Sequence, residues 1–160
     1  MHIRFPAAKN SYPPLAQDIG KTTVKVTNKP ILLVEDDLVD AMTVVHALKE
    51  IHVTNPVVHR ENGEDALNYL EDPANDKPCI VLLDLKMPIM NGIEFLQAIK
   101  KNDKFRHIPV VVLTASEEQQ DKSNSFNLGV AGYMSKPVDY PKLVEVMRAI
   151  DAYWNISEMP

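Results

Sequence analysis

At 160 residues, with 45% hydrophobic and 24% charged residues, the chain has the composition of one globular domain large enough to bury its own core. A formal charge of -5 argues against nucleic-acid binding through bulk electrostatics. The single Cys79 excludes an internal disulfide and a cysteine-based zinc site. No apolar run approaches the roughly 20 residues of a membrane span, and Met1–Phe5 lacks the apolar stretch of a signal peptide. A cytoplasmic protein with no membrane or nucleic-acid partner is expected.

Residues 1–29 carry Pro6, Pro13 and Pro14 and little periodicity, and read as a flexible N-terminal tail. The short alternation Thr23-Val24-Lys25-Val26-Thr27 leaves an added edge strand or contact arm as the alternative. From Pro30 the pattern repeats as apolar strand, loop and helix. Ile31-Leu32-Leu33-Val34 is the first buried strand, and Val39–Glu50 is a helix with Ala41, Val44, Val45 and Leu48 inward. Val57-Val58 makes a second strand, and Glu64–Leu70 a helix after the Asn62-Gly63 punctuation. Ile80-Val81-Leu82-Leu83 is the third strand, preceded by the long loop Glu71–Pro78, which falls at the far end from the strand's acidic terminus. A helix from Gly92 to Lys101 buries Phe95, Leu96 and Ile99, and Pro109–Leu113 is the fourth strand. A polar helix from Glu117 to Asn127, a fifth strand Ala131–Met134 and a last helix Tyr140–Trp154 complete the series. Five strand–helix units predict a doubly wound α/β domain over 30–154, with residues 155–160 as a short tail.

The strand ends carry the chemistry. The first strand ends in Glu35-Asp36-Asp37, the third in Asp84, the fourth in Thr114-Ala115-Ser116 and the fifth in Ser135-Lys136-Pro137. In a parallel sheet of order 2-1-3-4-5 these acids meet at the topological switch point, where open α/β sheets bind ligands. Carboxylates gathered there repel unless a proton or cation intervenes, and hard oxygen donors without His or Cys favour Mg²⁺. Thr114 adds a hydroxyl and Lys136 an ammonium. A nucleophilic carboxylate, a divalent metal, a hydroxyl and an ammonium together suit a phosphoryl group. Each residue also has a structural reading: Asp36 or Asp37 as N-cap of the following helix, Thr114 with Glu117 as a capping box, Lys136 as a solvated surface lysine.

As a set, Ile-Leu-Leu-Val-Glu-Asp-Asp (31–37), Leu-Leu-Asp-Leu-Lys-Met-Pro-Ile-Met-Asn-Gly (82–92), Val-Val-Leu-Thr-Ala (111–115) and Gly-Tyr-Met-Ser-Lys-Pro (132–137) resemble the receiver domain of two-component response regulators. The resemblance spans about residues 30–153 and implies the flavodoxin-like fold of that family, five parallel strands in order 2-1-3-4-5 with helices on both faces. It implies that Asp84 is the phosphoacceptor. Asp36 is then the more direct Mg²⁺ ligand, Glu35 acts through water, and the backbone carbonyl of Lys86 completes the metal site. Thr114 and Lys136 bind the phosphoryl oxygens, and Lys136-Pro137 is expected to be a cis peptide. Glu35 stands where the family more often has aspartate, and the third acid, Asp37, has no assigned role beyond adding charge or capping. Lys86 and Ser116 occupy positions where family members tune dephosphorylation.

The resemblance further implies a sensor histidine kinase as donor and a switch in which Thr114 moves toward the phosphoryl group while Tyr133 turns inward. That changes a surface made by the fourth helix, fifth strand and fifth helix, which meets an unidentified downstream protein. Little sequence follows Trp154, so a single-domain regulator is expected. In the last helix, Leu143, Met147, Ile150 and Trp154 form one apolar stripe and Val146, Ala149 and Tyr153 a second. The surplus predicts an interface, with Met147, Ile150, Tyr153 and Trp154 supporting a homodimer, against the alternative of a broad core face. The Tyr153-Trp154 ending resembles small regulators paired with bacterial phytochrome kinases. Two rival functions remain in view: a phosphorylation-independent receiver-like binding module, and an aspartate-nucleophile phosphatase. The second needs a general acid two residues after Asp84, where Lys86 stands.

Overall fold

The structure is a computed structural model that describes residues 2–3, 28–136 and 139–156, with side chains over 28–136 and 139–152. Among the described residues, six strands form one sheet: β1 (His2–Ile3), β2 (Ile31–Val34), β3 (Val57–Arg60), β4 (Ile80–Leu83), β5 (Val110–Thr114) and β6 (Gly132–Ser135). Five helices alternate with them: α1 (Leu38–Glu50), α2 (Gly63–Glu71), α3 (Gly92–Lys100), α4 (Gln119–Asn127) and α5 (Tyr140–Ile156). The spatial order is β1-β6-β5-β4-β2-β3. The five strands from β2 to β6 are mutually parallel, which is the expected 2-1-3-4-5 order. β1 joins the β6 edge antiparallel, with His2 opposite Tyr133 and Ile3 opposite Gly132. The Thr23–Thr27 alternation lies outside the described residues.

Unbroken apolar strands follow from having helices on both faces. Leu32, Val34, Val81, Leu83, Val110 and Val112 point to one side and pack with Ala66, Leu70, Phe95, Leu96 and Ile99 of α2 and α3. Their neighbours Ile31, Leu33, Ile80, Leu82, Val111 and Leu113 point to the other and meet α1 and α5 through Ala41, Val44, Leu48, Val146, Met147 and Ile150. Alternation of side chains about each strand thus splits one hydrophobic run between two cores. Each large side chain so buried contributes roughly 1.5–3 kcal/mol.

Met147 and Ile150, expected at an interface, are 0% exposed and belong to the chain's own core. The last helix has a wide inward face because it covers the sheet and also packs against α1. Ala149 of the second stripe is exposed, and the Tyr153 and Trp154 side chains lie outside the described residues.

The chain leaves β2 toward β3 on one side and returns to β4 on the other, so the switch point falls between β2 and β4. Both strands stop where an acid follows: Glu35 after Val34 and Asp84 after Leu83. Among the described residues, no helix is long and apolar enough to cross a membrane.

Candidate functional site

Register places the acids. Val34 pairs with Leu83 across β2 and β4, and the Asp84 N–H donates to the Val34 carbonyl at 2.9 Å. Glu35 and Asp84 therefore leave adjacent strand ends side by side, both buried, with Asp36 exposed beside them. Carboxylate oxygens of Glu35, Asp36 and Asp84 lie within 4.8 Å of one another. The Leu85 N–H donates to Asp84 Oδ1 at 2.8 Å and fixes the carboxylate's orientation. The Asp37 N–H does the same for Glu35 Oε2 at 3.1 Å.

Asp37 is the N-cap of α1: its backbone is extended and its Oδ1 accepts the Asp40 N–H at 3.0 Å. The unassigned third acid thus has a structural role, which also turns the first helical turn toward the site. That turn brings in Asp40, which reading the sequence by strand ends missed. Lys136, on the loop after β6, donates from Nζ to Glu35 Oε1 at 2.6 Å and to Asp40 Oδ2 at 2.7 Å. With its side chain 17% exposed, Lys136 is not a solvated surface lysine. Pro137 lies outside the described residues, and with it the expected cis peptide.

Burial pushes the Glu35 carboxyl up to about 7; the Lys136 hydrogen bond opposes this and the Asp84 charge adds to it. Burial alone lowers the Lys136 pKa, but hydrogen bonds to Asp40 and Glu35 and the charge of Asp84 outweigh it, so Lys136 is raised and stays an ammonium. Glu35 is therefore the member of the pair whose charge is disfavoured without a further cation. Three crowded carboxylates offer more negative charge than one ammonium offsets, and all their donors are hard oxygens. That donor set fits Mg²⁺ or Mn²⁺.

On the other side of Asp84, Thr114 ends β5 and is fully buried. Its Oγ1 accepts the Ser116 N–H at 3.2 Å, and its carbonyl accepts the Lys136 N–H at 2.6 Å. The expected capping box with Glu117 does not form. α4 starts at Gln119 behind an N-cap, Glu118, that makes no side-chain cap bond, because the chain runs on past Glu117 before it turns. A second group of side chains gathers here around Asp121, which the sequence reading also passed over. Ser116 Oγ donates to Asp121 Oδ2 at 2.5 Å, and Lys86 Nζ sits 3.3 Å from the same oxygen and 3.7 Å from Glu118. Tyr133 is buried, stacks obliquely on Phe126 and donates its hydroxyl to the Ser116 carbonyl at 3.3 Å.

The loop from Leu85 to Asn91 joins these groups. Asn91 caps α3 in a complete capping box with Glu94, which explains why the helix starts at Gly92. A Cβ at Gly92 would come 2.4 Å from the Asp84 carbonyl oxygen, so only glycine lets α3 start this close to the acceptor strand. Asn-Gly signals a turn in sequence, but not this contact. Exposed Ile89 holds φ 66, a strained value for a β-branched residue.

Comparison with known proteins decides the family. A model of the response regulator receiver domain matches residues 31–148. The chain belongs to that family. This receiver is 36% identical over 127 residues to the probable methanogenesis regulatory protein FilR2 of Methanothrix harundinacea, covering 78% of this chain and 82% of that one. It is 33% identical over 130 residues to the response regulator Rcp1 of Synechocystis, covering 79% and 88%. The Mn²⁺-bound structure of Rcp1 superposes on the receiver with a TM-score of 0.72, over 82% of this chain and 97% of that one. The phosphorylated cyanobacterial phytochrome response regulator RcpA superposes with a TM-score of 0.73 at 34% identity, over 82% and 96%. The chain is thus a two-component signal-transduction receiver, a family of signalling proteins, with relatives associated with phytochromes.

Proposed function

We propose that the receiver accepts a phosphoryl group on Asp84 from a phosphohistidine of a sensor histidine kinase. The observation that carries this is the buried, oriented Asp84 carboxylate, with two further carboxylates on one side and Thr114 and Lys136 beyond. A carboxylate oxygen of Asp84 attacks phosphorus, the P–N bond breaks, and the imidazole leaves with the electron pair and takes up a proton. Thr114 supplies a hydroxyl donor to an equatorial oxygen and Lys136 a charge-assisted one. Glu35, Asp36, Asp84 and the Lys86 carbonyl would hold Mg²⁺, which when bound offsets the negative charge of donor and acceptor. Lys136 must then exchange at least one of its present carboxylate partners for the phosphoryl group.

The donor is itself a protein, and the apolar residues Leu38, Val39 and Met42 stand exposed on the first turns of α1 beside the mouth. They supply a landing surface for it. The relatedness to RcpA supports a phytochrome-type kinase as the input. The output is a changed surface over α4, β6 and α5, reached through Thr114 and Tyr133. With Met147 and Ile150 in the core, a homodimer through α5 would depend on its far end, at Tyr153 and Trp154.

Incubation with acetyl [³²P]phosphate and Mg²⁺ is expected to label the wild type and leave Asp84→Asn unlabelled. Persistent label on the variant would sink the assignment.

A further inference from the structure

We propose that Asp40, in the first turn of α1, is a positioning residue that restrains Lys136: it holds the ammonium toward α1 and so slows acceptance of a phosphoryl group on Asp84. The inference rests on the reading of Asp84 as phosphoacceptor.

Lys136 is anchored at one end and shared at the other. Its backbone N–H donates to the Thr114 carbonyl at 2.6 Å, which fixes the start of the side chain beside the end of β5. Its ammonium reaches the ends of β2 and α1, where it lies 2.6 Å from Glu35 Oε1 and 2.7 Å from Asp40 Oδ2. Asp40 is placed to receive it, because its own N–H donates to the Asp37 cap at 3.0 Å. The two acceptors differ in what else claims them. Glu35 clusters with Asp36 and Asp84 as a candidate metal ligand, and among the described residues Asp40 has no part in that cluster. A cation on the cluster competes with Lys136 for Glu35 and leaves the bond to Asp40 in place. Asp40 is then the carboxylate that still draws the ammonium toward α1.

Lys136 meets a phosphoryl oxygen only by turning its ammonium toward Asp84. A carboxylate that accepts its N–H bonds opposes that turn, and Lys136 gives the phosphoryl group less of its charge while the bond lasts. The Asp40 side chain is 42% exposed, so water screens the pair and the restraint is modest. Its loss corresponds to a labelling rate about two- to fivefold higher.

The test is the initial rate at which the full chain is labelled by acetyl [³²P]phosphate with Mg²⁺, as an Asp84 oxygen takes the phosphoryl group and acetate leaves. Asp40→Asn, which keeps the shape and removes the charge, is expected to label about two- to fivefold faster than wild type, and Asp40→Ala likewise. Asp40→Glu, which keeps the charge, is expected to stay within about twofold of wild type. Loss of helix stability alone accelerates nothing. In a Lys136→Ala background, followed over longer times, Asp40→Asn is expected to add no acceleration, because the restrained group is gone. In the metal-free protein, ¹⁵N NMR is expected to show the Lys136 ammonium protons exchanging with solvent faster in Asp40→Asn than in wild type. A rate in Asp40→Asn at or below wild type, Asp40→Glu as fast as Asp40→Asn, equal acceleration in both backgrounds, or an ammonium signal unchanged by Asp40→Asn would overturn the proposal while a labelled wild type leaves the phosphoacceptor reading standing. A wild type that takes no label overturns that reading, and this inference with it.

Discussion

Two lysines flank Asp84, each between two carboxylates, and their surroundings set them apart. Lys136 is 17% exposed and binds Glu35, itself 4% exposed. Lys86 is 56% exposed and reaches Glu118, 64% exposed, and Asp121. In the first group burial raises the Glu35 pKa to about 7, while hydrogen bonds to Asp40 and Glu35 raise that of Lys136 against its own burial. In the second, hydrogen bonding to Asp121 raises the Lys86 pKa, but solvent and salt are free to screen the pair. Residues of one type thus serve different ends: a desolvated charge suits binding a dianion, and an exposed pair suits placing a flexible chain.

The largest expected effect breaks the buried group. Lys136→Ala removes the ammonium between Glu35 and Asp40, and the initial labelling rate with acetyl phosphate should fall about 100-fold. Asp121→Ala should leave that rate within about twofold, since its pair is exposed and lies outside the binding set. Comparable losses in the two variants would erase the distinction.

Next comes the pH dependence of metal binding. Glu35 has its pKa raised from the ordinary 4.5 to about 7 when no metal is bound, so the folded protein holds this proton more tightly than the unfolded chain. Its contribution to stability is thus present below 4.5 and lost as pH rises through about 7. Mg²⁺ must displace the same proton. Calorimetric titration should show affinity about tenfold weaker near pH 6 than near pH 8, levelling off above. Glu35→Gln should flatten that dependence. A flat profile in the wild type would mean that Glu35 is already ionised at pH 6.

The smallest effect concerns the loop that carries Lys86. Ile89 holds φ 66 while 74% exposed, so it is strained without compensating burial. Ile89→Asn should raise stability by about 0.5–1 kcal/mol in urea denaturation, because asparagine tolerates the left-handed region. A loss of stability would show that the isoleucine side chain makes up for the strain.

How far these groups were legible depended on how local their signal is. Asp84, Glu35, Asp36, Thr114 and Lys136 each stand at the end of an apolar run, and parallel strands carry their ends to one edge of the sheet. The alternation of elements implied a parallel sheet, and the family resemblance supplied its strand order and with it the switch point. Asp40 and Asp121 sit on helices, where an acid in the first turn is common for reasons of the helix dipole. Nothing local separates those roles from a bond to a lysine 96 residues away. Met147 and Ile150 were assigned to an interface for a related reason. A wide apolar face looks like surplus only until the helix is seen covering the sheet and packing against α1 at once.

By itself the sequence determined the secondary-structure alternation, the parallel sheet, the acids at its carboxyl edge and membership in a recognisable pattern. These depend on periodicity and on strand ends, which are written in order along the chain. Tertiary structure alone decided which carboxylates each lysine joins, that Asp37 caps while Asp40 reaches the site, that Gly92 must be glycine, and that Met147 and Ile150 are core. Those facts depend on distances between elements remote in sequence, and on how much water each pair has lost.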